Sequence, residues 1–134
     1  MNRNEIDAFV ARWLEAVRAG NLGEFANLVG PQVLDLNTGQ SSSVTAFQDR
    51  ARAVRSAFSE LEGQVDDLLV DGDRIAWRFT LIGTHRGPFL GEPATGKRIT
   101  LTGTNFQRLA GGVVIEHFTL LDAFGALRQM RAPG

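Results

Sequence analysis

The chain has 134 residues, 14 basic and 15 acidic side chains, a formal net charge of -1 and no cysteine. That length suits one domain able to bury roughly two-thirds of its unfolded surface, while the missing cysteines exclude a disulfide framework, a thiolate metal site and a cysteine nucleophile. The near-neutral balance excludes a generic nucleic-acid groove. No run approaches the ~20 apolar residues of a membrane span, and Met1 to Val10 lacks the apolar run of a signal peptide; a soluble, cytoplasmic domain is expected.

Ile6, Phe9, Val10, Trp13, Leu14 and Val17 recur at helical spacing and predict an amphipathic first helix. Asn4 is its expected cap, and Gly20 ends it. Asn21 and Glu24 resemble a capping box for a short second helix with Phe25, Leu28 and Val29 on its apolar side. Gly30 and Pro31 stop it. Gln32 to Asn37 reads as a strand and Thr38 to Ser42 as a polar loop. Ser43 should cap a third helix that turns Val44, Phe47, Ala51, Val54 and Phe58 inward and Arg50, Arg52 and Arg55 largely outward.

After Glu60 the period changes from helical to two-residue. Leu61 to Val70 predicts a strand, Asp71-Gly72-Asp73 a hairpin turn, and Arg74 to Thr84 a second strand with Ile75, Trp77, Phe79 and Leu81 on one face. Gly87 to Lys97, rich in Gly and Pro, reads as a loop. Ile99 to Leu109 and Val113 to Leu121 are strands joined by a Gly turn, and Ala123 to Met130 adds a helical segment. Helices first and antiparallel strands after argue for α+β. No repeat or linker divides residues 1-134, so one domain is expected.

The second half carries a specific pattern. Gly83-Thr84-His85-Arg86-Gly87-Pro88-Phe89 leads to Pro93-Ala94-Thr95-Gly96-Lys97-Arg98, then Gly103-Thr104-Asn105-Phe106-Gln107-Arg108. Glu116-His117-Phe118-Thr119-Leu120-Leu121-Asp122 follows, and the pattern closes on Gly125-Ala126-Leu127-Arg128-Gln129-Met130. This resembles the SnoaL-like polyketide cyclase family of the nuclear-transport-factor-like superfamily, over nearly the whole chain. The resemblance implies a cone-shaped α+β barrel, a curved antiparallel sheet wrapped around N-terminal helices, with a deep apolar pocket. It further implies ring closure by intramolecular aldol condensation with no metal or organic cofactor and an aspartate as acid/base. In the closing motif that aspartate corresponds to Asp122.

Asp122 has two readings. At an apolar strand end it would be desolvated and its pKa raised, which suits a general base beside a carbonyl; directly before a helix, it would be an N-cap. His85, at the end of a strand, either polarises a substrate carbonyl or is rim polarity. Strict alternation groups Glu116, Phe118, Leu120 and Asp122 and leaves His117 opposite them, for structure, an interface or, across a bulge, the substrate. Asn105 and Gln107 share a face and could donate to an enolate oxygen or simply clothe the sheet. Asp35 and Asn37 are weaker candidates at the pocket mouth. Trp13, Trp77, Phe79, Phe89 and Phe118 are core residues or stacking surfaces for a flat substrate.

Two rival chemistries lose their residues. Tyrosine is absent, which removes the oxyanion donor of the ketosteroid isomerase branch. The strand Ile75 to Ile82 has Arg78 but no carboxylate, which removes the second acid of limonene-type epoxide hydrolases. The two histidines lack HExxH spacing and give no metal case. The resemblance therefore favours a cyclase acting on an apolar polycyclic or poly-carbonyl molecule. A hydroxylase or isomerase of the same fold and a non-catalytic binding module are the alternatives. A homodimer is expected by analogy, with the strand bearing Thr100, Thr102 and Thr104 as its meeting face.

Overall fold

The apolar stripe becomes α1 (Arg3–Ala19) in a computed structural model that describes residues Met1–Gly134. Its cap is Asn2, two residues earlier than expected. The Asn2 side chain accepts from the Glu5 backbone N–H and the Glu5 carboxylate accepts from that of Asn2, each at 2.9 Å, a reciprocal box. Gly20 closes the helix in the left-handed region at φ 73°. The second box does not form. Glu24 turns away to accept from Arg12 Nε at 2.8 Å, and a short 3-10 turn leads into α2 (Phe25–Leu28).

Gly30 and Pro31 lie inside β1 (Val29–Asp35) instead of ending a helix. The chain then forms β2 (Gln40–Ser42), α3 (Val44–Ala57), β3 (Phe58–Asp71), β4 (Arg74–His85), β5 (Arg98–Ala110), β6 (Val113–Leu121) and α4 (Ala123–Arg131). Ser43 occupies the cap position of α3 but its side chain makes no capping bond.

The α+β architecture is the expected one. Six strands make one curved sheet in the order β2-β1-β6-β5-β4-β3. Every neighbouring pair is antiparallel except β1 and β6, which run parallel. The sheet is thus mixed, and β2 and β3 remain as its two edges, so it wraps without closing. Bulges bend it. β3 slips against β4 near Glu60, whose φ of 54° is unusual for a side-chain-bearing residue. Arg98 donates to the Glu60 carbonyl at 2.9 Å and holds that bend. β6 carries Ile115 as an extra residue opposite β5.

The inner side of the sheet receives α1. Ile6, Phe9, Val10, Trp13 and Leu14 are buried together with Trp77, Leu81 and Leu101 of β4 and β5. The outer side is partly apolar: Phe106 and Leu120 are half exposed, at 51% and 55%. No helix is long and apolar enough to cross a membrane.

Candidate active site

Between the helices and the inner sheet face lies a cavity of about 310 Å³, at the lower end of small-molecule pockets, about 300–1,000 Å³. Its walls are aromatic and aliphatic: Trp13 from α1, Phe25 from α2, Phe47 and Val54 from α3, Trp77 and Phe79 from β4, and Leu101 and Leu121 from β5 and β6. Four polar side chains interrupt them: Arg50, Asn105, His117 and Thr119. An apolar container with few convergent polar groups is the general form of a small-molecule site.

His117 is the most constrained of the four. Its ring stacks on Trp13, with centroids 5.4 Å apart and planes at 23°, and meets the Phe47 ring edge-on at 5.0 Å. Burial disfavours its charged form and lowers its pKa to about 4; Arg50 pushes the same way, and Asp35 opposes both. At neutral pH the imidazole is therefore uncharged. Gln107 lies behind it, 3.1 Å from Nδ1. The other nitrogen, Nε2, has no partner within the protein and keeps exposed surface. Because His117 lines the cavity, that surface opens into it.

Asn105 sits one inward position before Gln107 on β5, directly opposite Thr119 of β6. Its side chain is buried yet unbonded and still accessible, and it also faces the cavity. Two neutral polar groups, the His117 imidazole and the Asn105 amide, thus line one largely apolar space.

At the rim, Arg50 donates to the Asp35 carboxylate at 2.9 Å and lies 5.2 Å over the Phe47 ring. Burial alone would raise the pKa of Asp35. The backbone N–H of Asn37 and then Arg50 outweigh it and hold the carboxyl below its ordinary value. Arg50 was expected on the outer side of its helix. It stays partly exposed but reaches the cavity mouth, because positions 47, 50, 51 and 54 form one helical stripe, a spacing already visible in the sequence.

The expected site residues separate into three groups. Trp13, Trp77, Phe79, Asn105 and His117 line the cavity, and Gln107 backs it. His85 and Phe89 lie elsewhere, packed on Phe58 at 5.5 and 5.0 Å. His85 is fully buried and its Nδ1 meets Thr95 Oγ1 at 3.0 Å, so the expected rim position is corrected. Phe118 points to the outer face, 6.1 Å from Phe106.

Asp122 takes the second of its two readings. It is exposed, not desolvated, and accepts from the Gly125 backbone N–H at 2.9 Å as the N-cap of α4. It borders a broad, mostly polar outer groove with Asp66, Arg78 and Thr80. The alternation that grouped it with Glu116, Phe118 and Leu120 was right. The cavity, however, lies on the other side, the side of His117. Gln107 faces His117 directly across β5 and β6, so the shared face of Asn105 and Gln107 was the signal that identified the inner side.

Both the sequence and the fold have counterparts among known proteins. The family model described as SnoaL-like polyketide cyclase matches residues 8–130. The aklanonic acid methyl ester cyclase DnrD of Streptomyces peucetius is 28% identical over 131 residues, 92% of this chain and 89% of that protein. The nogalonic acid methyl ester cyclase of Streptomyces nogalater is 26% identical over 125 residues, 90% and 92% of the two chains. Among solved structures, TsrD from Streptomyces laurentii superposes with a TM-score of 0.89 at 25% identity, covering 99% of both chains. A SnoaL-like polyketide cyclase from Agrobacterium tumefaciens shares the fold, with a TM-score of 0.78 at 18% identity over 92% of this chain and 96% of that one.

Proposed function

This chain belongs to the SnoaL-like polyketide cyclase family, and from that premise we propose that it closes a carbon ring in an oxygen-rich polyketide, by intramolecular aldol addition inside the cavity under α1 and α3. The observation that carries the reading is the pairing of a neutral His117, its Nε2 open to the cavity, with the unbonded Asn105 amide among aromatic walls.

A methylene between two carbonyls loses its proton to give an enolate, whose negative oxygen needs donors more than it needs a strong base. His117 Nε2–H and Asn105 supply them in a space with little water, where such hydrogen bonds gain strength. A neutral imidazole donor suits this task, since it polarises a carbonyl without first giving up a charge-bearing proton. The apolar walls fold the chain so that the carbanion meets its own distant carbonyl, replacing a loose encounter with a positioned one. The proton lost from carbon passes to solvent water at the cavity mouth, and the attacked carbonyl, now an alkoxide, takes one proton back from water, so the step balances. The step is redox-neutral.

Turnover of aklanonic acid methyl ester and nogalonic acid methyl ester, followed by chromatography of the cyclised product, tests the reading. His117→Gln and Asn105→Ala should each lower kcat by about 10²-fold with the fold retained by circular dichroism. Asp122→Asn should leave turnover close to that of the parent protein. If Asp122→Asn abolishes turnover while His117→Gln keeps it, the acid/base role expected for Asp122 is correct and the chemistry belongs to the outer groove.

A further inference from the structure

Behind His117 runs a short line of buried side chains whose hydrogen bonds can be satisfied in only one way. Trp77 Nε1 lies 3.0 Å from Gln107 Oε1, and Gln107 Nε2 lies 3.1 Å from His117 Nδ1. An indole N–H donates and cannot accept, so the amide atom that faces it must be the oxygen. The amide nitrogen is then forced toward the imidazole. An amide NH₂ likewise only donates, so Nδ1 must offer its lone pair. In a neutral imidazole with a bare Nδ1, the proton sits on Nε2.

Trp77, Gln107 and His117 are 1%, 3% and 3% exposed. Water therefore has no room to replace any member of the line, and a reversed amide would set two N–H groups against each other at a cost of about 1–3 kcal/mol for each buried group left unpaired. β4, β5 and β6 hold the three residues on adjacent strands, where Gln107 is directly opposite His117 and next to the Trp77 strand. The line is thus built into the sheet and does not rely on a loop.

We infer that Gln107 is a positioning residue: oriented by Trp77, it fixes His117 in the tautomer that turns an N–H, and not a lone pair, into the cavity. The inference rests on the reading of His117 as the oxyanion donor for its use in catalysis, but the tautomer itself is set by the resting protein. One consequence is that His117 cannot serve as a general base without breaking this line, because its cavity-facing nitrogen already holds the proton. Substrates that present an acceptor oxygen are taken, and those that present only a donor at that point meet an N–H and are refused.

Nitrogen-15 NMR of the imidazole rings tests this directly. The chain has two histidines, and His117→Gln assigns them. In the parent protein near pH 7, the His117 ring should show a protonated Nε2 and a bare Nδ1. Gln107→Glu keeps the shape but replaces the donor by an acceptor, and should move the His117 proton to Nδ1. Trp77→Phe removes the indole N–H and should give a mixture of both tautomers. His85 is an internal reference in each sample, because the Thr95 backbone N–H donates to its Nδ1 from 3.3 Å and none of these changes touches it. A proton on Nδ1 of His117 in the parent protein overturns the inference even if every variant fails to fold. So does an unchanged His117 signal in folded Gln107→Glu. Inversion of the tautomer together with undiminished turnover of aklanonic acid methyl ester would leave the lock standing and remove the oxyanion role proposed for His117.

Discussion

Burial is what keeps His117 neutral, and that has a cost measurable without any substrate. Its folded pKa, about 4, lies below the ordinary 6.5. Between those values the unfolded chain binds a proton that the folded protein does not, so stability falls as pH falls through that window. The difference amounts to roughly 3 kcal/mol between pH 6.5 and pH 4. Well above pH 6.5 both states are neutral and the slope vanishes. Denaturant midpoints measured across this range should fall more steeply for the parent protein than for His117→Gln, and the two curves should run parallel above pH 7. Parallel curves below pH 6 would show that His117 is protonated in the folded protein. The same burial explains why composition and spacing alone left His117 open: its role depends on which side of β6 faces the helices, and that is settled by neighbouring strands.

At the scale of elements, β6 shows how one inserted residue decides a face. Ile115 is the extra residue opposite β5, so Val114 and His117, three positions apart, both point inward and are both buried. Strict alternation cannot express this, although it did sort His117, Thr119 and Leu121 from Phe118, Leu120 and Asp122. The four long strands of the second half, the hairpin at Gly72 and the α1 stripe were legible because each follows from a local period, whereas β1 starts earlier than expected at Val29 and β2 occupies part of the expected Thr38–Ser42 loop. Asp122 was legible as one of two readings: its place directly before α4 pointed to the N-cap that forms, where the Gly125 N–H claims its carboxylate, while the acid/base reading came from the family motif. Gly103 is a second case of element-scale control. It lies opposite Phe79 on β4, and a Cβ at Gly103 would fall 2.5 Å from Phe79 Cζ and 2.9 Å from the Leu120 carbonyl. Gly103→Ala should therefore cost about 1–3 kcal/mol by overpacking and push the Phe79 ring into the cavity. Calorimetry would read the first effect, and weakened binding of a polyketide ester the second. Unchanged stability would mean that the Phe79 wall is looser than its packing implies.

For the whole molecule, an open mixed sheet separates two surfaces of different character. The inner one is the aromatic cavity. The outer one carries Thr102 and Thr104 of β5 beside the half-exposed Phe106 and Leu120. We propose that a second copy of the chain covers that outer face, since like strands can bring these apolar side chains together across a twofold axis. Sedimentation should give a dimer mass for the parent protein and a monomer mass for Leu120→Lys; a concentration-independent monomer in the parent protein would refute it. A crystal structure of the protein soaked with aklanonic acid methyl ester shows which of the two surfaces takes substrate. A polycyclic skeleton is expected between Trp13, Phe47 and Phe79, with a carbonyl or enol oxygen about 3 Å from His117 Nε2. Ligand density in the outer groove beside Asp122, with the inner cavity unfilled, would move the chemistry to the outer face.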